Sequence, residues 1–231
     1  MQGAAEVVPV SSSAQLTLLP WLLGWEAEDD RTTFAASLHA GSAVGVALAL
    51  RHHPHRRTAR AALAVAVPPA VAGALFHRQV ERRLGTIPIT ASLLAAAGVA
   101  MWAADRGPAT EPLTTSAVNV AALAQVAALA PGVSRSGATL TALRARRVDR
   151  AEAVAFSLHS SWPIALGAAG LTAARARKAP ELLPTAAAAV SSFAATRAVA
   201  GGSQRLIPAA AIYRLAVAAV VAVRLQRGRR S

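Results

Sequence analysis

Apolar runs separated by short polar stretches organise this chain. Runs at 33–50, 61–76, 88–104, 115–130, 151–174, 182–200 and 206–223 consist mostly of Ala, Leu, Val and Ile. They approach or reach the roughly 17–25 residues that a helix needs to cross a bilayer core, so each is expected to span. Pro68-Pro69 predicts a kink in the second run. The intervening polar stretches at 26–31, 51–57, 77–86 and 141–150 are expected to be loops. Two places break the alternation. Residues 1–8 look like the end of a helix whose beginning is missing, so about a dozen further apolar residues are expected before Met1. Pro9 then interrupts it, and the apolar piece at 16–25 is too short to span and fits a re-entrant or interfacial segment. The second break is Pro131-Gly132, where a polar loop runs to Thr139 between two apolar helices.

Composition narrows the class. Of 231 residues 54% are hydrophobic and 15% charged, and mean hydropathy is +0.41. A soluble domain would carry more charge. The pattern therefore predicts an all-α polytopic helical membrane protein, forming one domain over residues 1–231. A formal net charge of +13 would ordinarily raise the question of nucleic acid. Here most of the cations, all arginine apart from Lys178, sit in the loops and the tail, where anionic headgroups and the positive-inside rule place them. The bilayer is the implied partner, and no nucleic acid. The histidines at 52, 53 and 55 stand among arginines with no acidic partner, which favours a solvated loop over a metal site. The chain has no cysteine, so thiolate metal sites and disulfides are excluded.

The two breaks are alike. "PVSSSAQL" and "PGVSRSGATL" lie about half a chain apart and share a proline, a valine, two serines in alternate positions, a small residue and a closing leucine. Each follows a helix with a polar residue near its end, Glu6 in one and Gln125 in the other. Two interrupted helices at matching positions are the mark of a repeat architecture, here expected to be inverted, in which the broken segments meet near the midplane. One loop would bring Ser11, Ser12, Ser13, Gln15 and Glu6 to a shared pocket, with Gln2 one helical turn before Glu6. The other would bring Ser134, Arg135, Ser136 and Thr139. An arginine fork, backbone donors at a helix start, hydroxyls and a carboxylate are the parts of phosphoryl-transfer chemistry. Serine alone packs well between membrane helices; the combination with Glu6 and Arg135 is what favours a site.

These residues resemble the bacterial undecaprenyl-pyrophosphate phosphatase family of the bacitracin-resistance type. The family's first motif, E/Q-G-x-x-E-x-x-P-V/I-S-S-S-x-H-L, reads "QGAAEVVPVSSSAQL" here, and its second, P-G-x-S-R-S-G-x-T, reads "PGVSRSGATL". The likeness extends to "LLPWLLGW", "AVAFSLHSSWPIALGA" and "AAIYRLAVA". It implies a multi-pass protein of the bacterial plasma membrane that converts a C55 polyprenyl diphosphate lipid to its monophosphate. The reaction depends on a divalent cation, Mg2+ or Ca2+, in a pocket opening to the outer side. By the same resemblance Glu6 and Gln2 form the acidic or metal pair, Ser12 is the candidate nucleophile and Arg135 the phosphate clamp. Ser11, Ser13, Gln15, Ser134, Ser136 and Thr139 support phosphate. Gln15 stands where the family has histidine, and glutamine does not transfer protons at neutral pH. A slow enzyme is therefore expected, and a non-catalytic binder or transporter of lipid phosphate is the rival. His159, isolated in an apolar helix, is expected to pack against a neighbouring carbonyl or serine. His39 is given no catalytic role.

Overall fold

The computed structural model describes residues 2–25, 31–51, 56–174, 176, 179–200 and 205–228. The histidines at 52, 53 and 55 and most of the acidic stretch at 26–31 lie outside them. Among the described residues ten α-helices follow one another: α1 (Gln2–Val7), α2 (Ser12–Leu23), α3 (Arg31–Leu50), α4 (Arg56–Leu84) and α5 (Ile87–Asp105) make up the first half. The second half has α6 (Thr115–Val126), α7 (Arg135–Ala145), α8 (Arg150–Ala173), α9 (Leu182–Ala200) and α10 (Leu206–Gly228). Among the described residues no strand forms; a single bridge joins Glu111 and Val148. Among the described residues five helical segments are long and apolar enough to cross a membrane: Thr33–Leu50, Ala61–Leu84, Ile87–Asp105, Leu182–Val199 and Leu206–Gly228; α8, formed by the run expected to span at 151–174, is long enough but does not join them. The chain is an all-α, multi-pass membrane protein.

Three expectations change. The run at 115–130 does not span. α6 has 12 residues, about 18 Å at 1.5 Å per residue, and after a 3-10 turn at Ala127–Leu129 the chain folds back as α7, packed on α6. Hydropathy does not distinguish a half-span in protein from a full span in lipid. The reversal needs Gly132: its φ is 106°, and a Cβ there would stand 2.6 Å from the Thr90 carbonyl oxygen. Second, 77–86 is largely helix rather than loop. α4 runs unbroken through Pro68-Pro69 to Leu84, because Gln79, Glu81, Arg82 and Arg83 are good helix formers. His77 and Glu81 sit one turn apart, at 3.4 Å. Third, the basic stretch at 141–150 is only partly a headgroup-facing loop. Arg144 is buried, donating from Nε to Asp105 (2.9 Å) and from Nη2 to the Gly107 carbonyl (2.7 Å). Arg150 Nη2 lies 2.8 Å from the other Asp105 oxygen, a hydrogen bond that holds its guanidinium above its ordinary pKa. This cluster ties the ends of α5 and α7 to the start of α8. A cavity of about 420 Å³ opens beside it, and none of the two-loop residues lines it.

The halves pack in a matched pattern. α3 lies against α8 and α5 against α10, each helix on its counterpart, while α1 lies against α9 and α6 against α4. A two-repeat chain produces this exchange of partners when its halves are related by a twofold axis. The main core gathers Phe156, Leu140, Leu143, Met101 and Ile207 around α7, and a smaller cluster joins Ala14 and Leu18 of α2 to Leu94 and Val221. The two broken helices are thereby held in the middle of the bundle.

Candidate active site

Both breaks use the same backbone device. Ser11 precedes α2 with φ 69° and Ser134 precedes α7 with φ 70°. With Arg147 they are the non-glycine residues of positive φ among the described ones. Such conformations cost roughly 1–3 kcal/mol and persist where the surroundings impose them. The left-handed turn aims the next residue of each loop inward: Ser12 in one, Arg135 in the other. These two occupy the same place in the repeat, and both reach Glu6.

Glu6 is the centre of the arrangement. Its side chain is buried, and Ser12 Oγ donates to Oε1 at 3.0 Å. Arg135 Nη2 donates to Oε2 in a close ion pair across 129 residues of sequence. The second nitrogen of the fork, Arg135 Nη1, is buried and has no hydrogen-bond partner. A buried cationic donor left in this state is directed at an anion. His39, on α3, places Nδ1 3.7 Å from Glu6 Oε1; sequence reasoning had given it no part. Its signal was a polar ring inside an apolar span, which motif matching alone passes over.

The remaining predicted residues divide. Ser134 and Ser136 stand together, hydroxyl to hydroxyl at 3.2 Å, and Ser134 Oγ accepts from the Gly137 amide at 3.2 Å, capping α7. Ser11 is buried with its Oγ 3.4 Å from Ser13, which is exposed. Thr139 and Gln15, expected to contact phosphate, are committed within the protein. Thr139 donates to the Arg135 carbonyl (3.0 Å) and accepts from Gln125 (2.9 Å). Gln15 donates to the Val10 carbonyl (3.1 Å) and accepts from Tyr213 (2.8 Å). Each braces its own loop, because broken backbone in a membrane needs partners that side chains must supply. Gln2 belongs to α1, but its side chain falls outside the described residues. His159 sits against the Ala155 carbonyl, 2.7 Å away, as expected.

Sequence reasoning missed Arg214. It lies within α10, wholly buried, donating from Nε to the Pro9 carbonyl (2.7 Å) and from Nη1 to the Val133 carbonyl (3.0 Å). A lone arginine inside the run at 206–223 was the available signal.

Glu6 also bears on metal. Among the described residues no three His, Asp or Glu side chains come together. Glu6 offers one carboxylate, which suits a cation that takes the rest of its ligands from phosphate and water.

The buried carboxylate, the serine hydroxyl and the half-used arginine fork that meet at the two helix breaks define a site suited to a phosphate group inside a multi-pass membrane protein. Its relatives make the class specific. The family model described as Bacitracin resistance protein BacA matches residues 1–220, and the chain belongs to that family. It is 38% identical over 193 residues to the undecaprenyl-diphosphatase of Pelobacter propionicus, covering 73% of this chain and 70% of that protein. With the undecaprenyl-diphosphatase of Gemmatimonas aurantiaca it shares 34% over 221 residues, 84% of this chain and 82% of the relative.

Proposed function

We propose that this chain is an undecaprenyl diphosphatase, removing the terminal phosphate of undecaprenyl diphosphate and returning the monophosphate carrier to cell-wall synthesis. The observation that carries the reading is the convergence of Ser12 and Arg135, one from each break, on the Glu6 carboxylate. Family membership supplies the substrate class.

The residues divide the work. Arg135 holds the terminal phosphate through Nη1, and the hydroxyls of Ser134 and Ser136 at the start of α7 lie beside it. Ser12 Oγ attacks phosphorus as Glu6 takes its proton; the bond to the bridging oxygen breaks and undecaprenyl phosphate leaves. Glu6 passes that proton to the departing phosphate oxygen, then takes one from the attacking water and returns it to Ser12 Oγ as the phosphoserine bond breaks and inorganic phosphate leaves. Arg135 offsets charge on the transferring oxygens throughout. A divalent cation, Mg2+ or Ca2+, would be held by Glu6, with Gln2 as a further donor, and supplies charge neutralisation to the diphosphate when bound.

The site is read as opening to the outer side of the plasma membrane, an orientation taken from the family resemblance. Because the chain has no cysteine, Ser13→Cys labelled by an impermeant reagent on intact cells tests it directly. The activity itself is tested by phosphate release from undecaprenyl diphosphate in detergent, with and without chelator. Release that chelator suppresses supports the whole reading. Release that chelator leaves intact removes the cation, and lipid binding without any release points to a binder.

A further inference from the structure

Arg214 touches neither Glu6 nor Arg135 in any described hydrogen bond, yet it sits between the loops that carry them. Its Nε takes the Pro9 carbonyl, two residues before Ser11, and its Nη1 takes the Val133 carbonyl, immediately before Ser134. Those serines are two of the three non-glycine residues of positive φ among the described ones, the third being Arg147. One side chain from a third element thus satisfies a backbone acceptor at both breaks, where a bundle interior offers no water to do so. Lysine would not replace it, since a single ammonium does not present two nitrogens in a fixed plane.

The surroundings crowd this guanidinium without satisfying all of it, since Nη2 is buried and has no hydrogen-bond partner. At Gly137, in the first turn of α7, an added Cβ would collide with Arg214 Nη2 and lie 3.0 Å from Cζ. The residue before it, Tyr213, reaches the first loop as well, donating to Gln15 Oε1 at 2.8 Å. Adjacent residues of α10 therefore grip α2, the first break and the second break together.

We propose that Arg214 is a positioning residue: it latches the two breaks in register so that Ser12 and Arg135 address one phosphate. The inference rests on the phosphatase reading for its kinetic consequence, but the latch itself is a statement about geometry. Loss of register by about 1 Å is enough to cost on the order of 10²-fold in turnover, with binding less affected because Arg135 still meets the phosphate and the apolar chain of the substrate still meets the bundle.

Two measurements test it in the full-length protein. In Arg214→Gln, kcat should fall about 100-fold or more while KM stays within about threefold, and Arg214→Lys should not restore it. Spin labels at Leu16→Cys on α2 and Leu123→Cys on α6, both exposed in a chain without other cysteines, should give one narrow distance distribution in the parent. Arg214→Gln should broaden or shift it. Gly137→Ala, which crowds the guanidinium and keeps its charge, is the second variant and should do the same if Arg214→Gln fails to fold. An unchanged distribution in a folded variant overturns the latch, whatever the rate does. A broadened distribution with wild-type kcat overturns the catalytic consequence. A parent without phosphatase activity refutes the phosphatase reading instead, and the distances still decide the latch.

Discussion

The two breaks share a backbone and differ in what their side chains do. At the second, Ser134 caps α7, Thr139 is fixed from both sides by Arg135 and Gln125, and the hydroxyls form a closed set around the helix start. At the first, Ser11 caps nothing with its side chain, Ser13 is exposed and Ser12 points away from its own loop to Glu6. One copy of the motif is finished internally and presents a rigid cradle. The other leaves Ser13 exposed and turns Ser12 to the Glu6 carboxylate, the place of the nucleophile under the proposed function. The two turns share a positive φ at Ser11 and Ser134 and differ at the next position, Ser12 against Arg135; under the proposed function that difference separates attack from charge stabilisation.

That division is open to attack by mutation. Arg135→Ala should have the largest effect, lowering kcat/KM for phosphate release by about 10³-fold or more, since a preorganised cation on the transferring group is lost. Circular dichroism on the purified protein checks that it still folds. Ser12→Ala should come next, with kcat down by about 10²–10⁴-fold and thermal stability close to the parent's. If Ser12→Ala instead matched the parent, the first break would not be the reactive one. Ser134→Ala should cost about 1 kcal/mol of stability through the lost cap, read by chemical or thermal unfolding, with a rate loss well below that of Ser12→Ala. A rate loss as great as that of Ser12→Ala would erase the distinction between the loops. Gln15→His should have the smallest effect, raising turnover by no more than about tenfold in steady-state assays. A catalytic base is worth more than that, but Val10 and Tyr213 hold this side chain within its own loop.

Much of this was legible in the residues. Proline-glycine pairs and serine clusters inside apolar runs are costly in lipid, so they stand out, and Glu6 and Arg135 stand out for the same reason. What was not legible depends on three dimensions. The run at 115–130 has the composition of a span and the length of half of one, because lipid and protein interior present the same apolar demand. The stretch at 77–86 reads as polar and is helix, because helix propensity continues past the membrane surface. Arg214 was visible as a charge in a span, but its partners are carbonyls of Pro9 and Val133, and backbone acceptors leave no residue type to match. Asp105 illustrates the same limit: its arginines looked like loop charge until their burial was seen.

The pairing of Glu6 with Arg135 has a consequence for how the protein is made. The carboxylate leaves the ribosome 129 residues before its arginine. At about 5–20 residues per second, synthesis of the intervening chain takes on the order of ten seconds. Through that interval the first half is already seeking the bilayer while the cation it is built around does not yet exist. A carboxylate in lipid without its cation is costly, which favours late settling of α1 and α2 into the bundle. The two sides of the site are joined only after α7 is made, and Arg214 reaches them later still with α10.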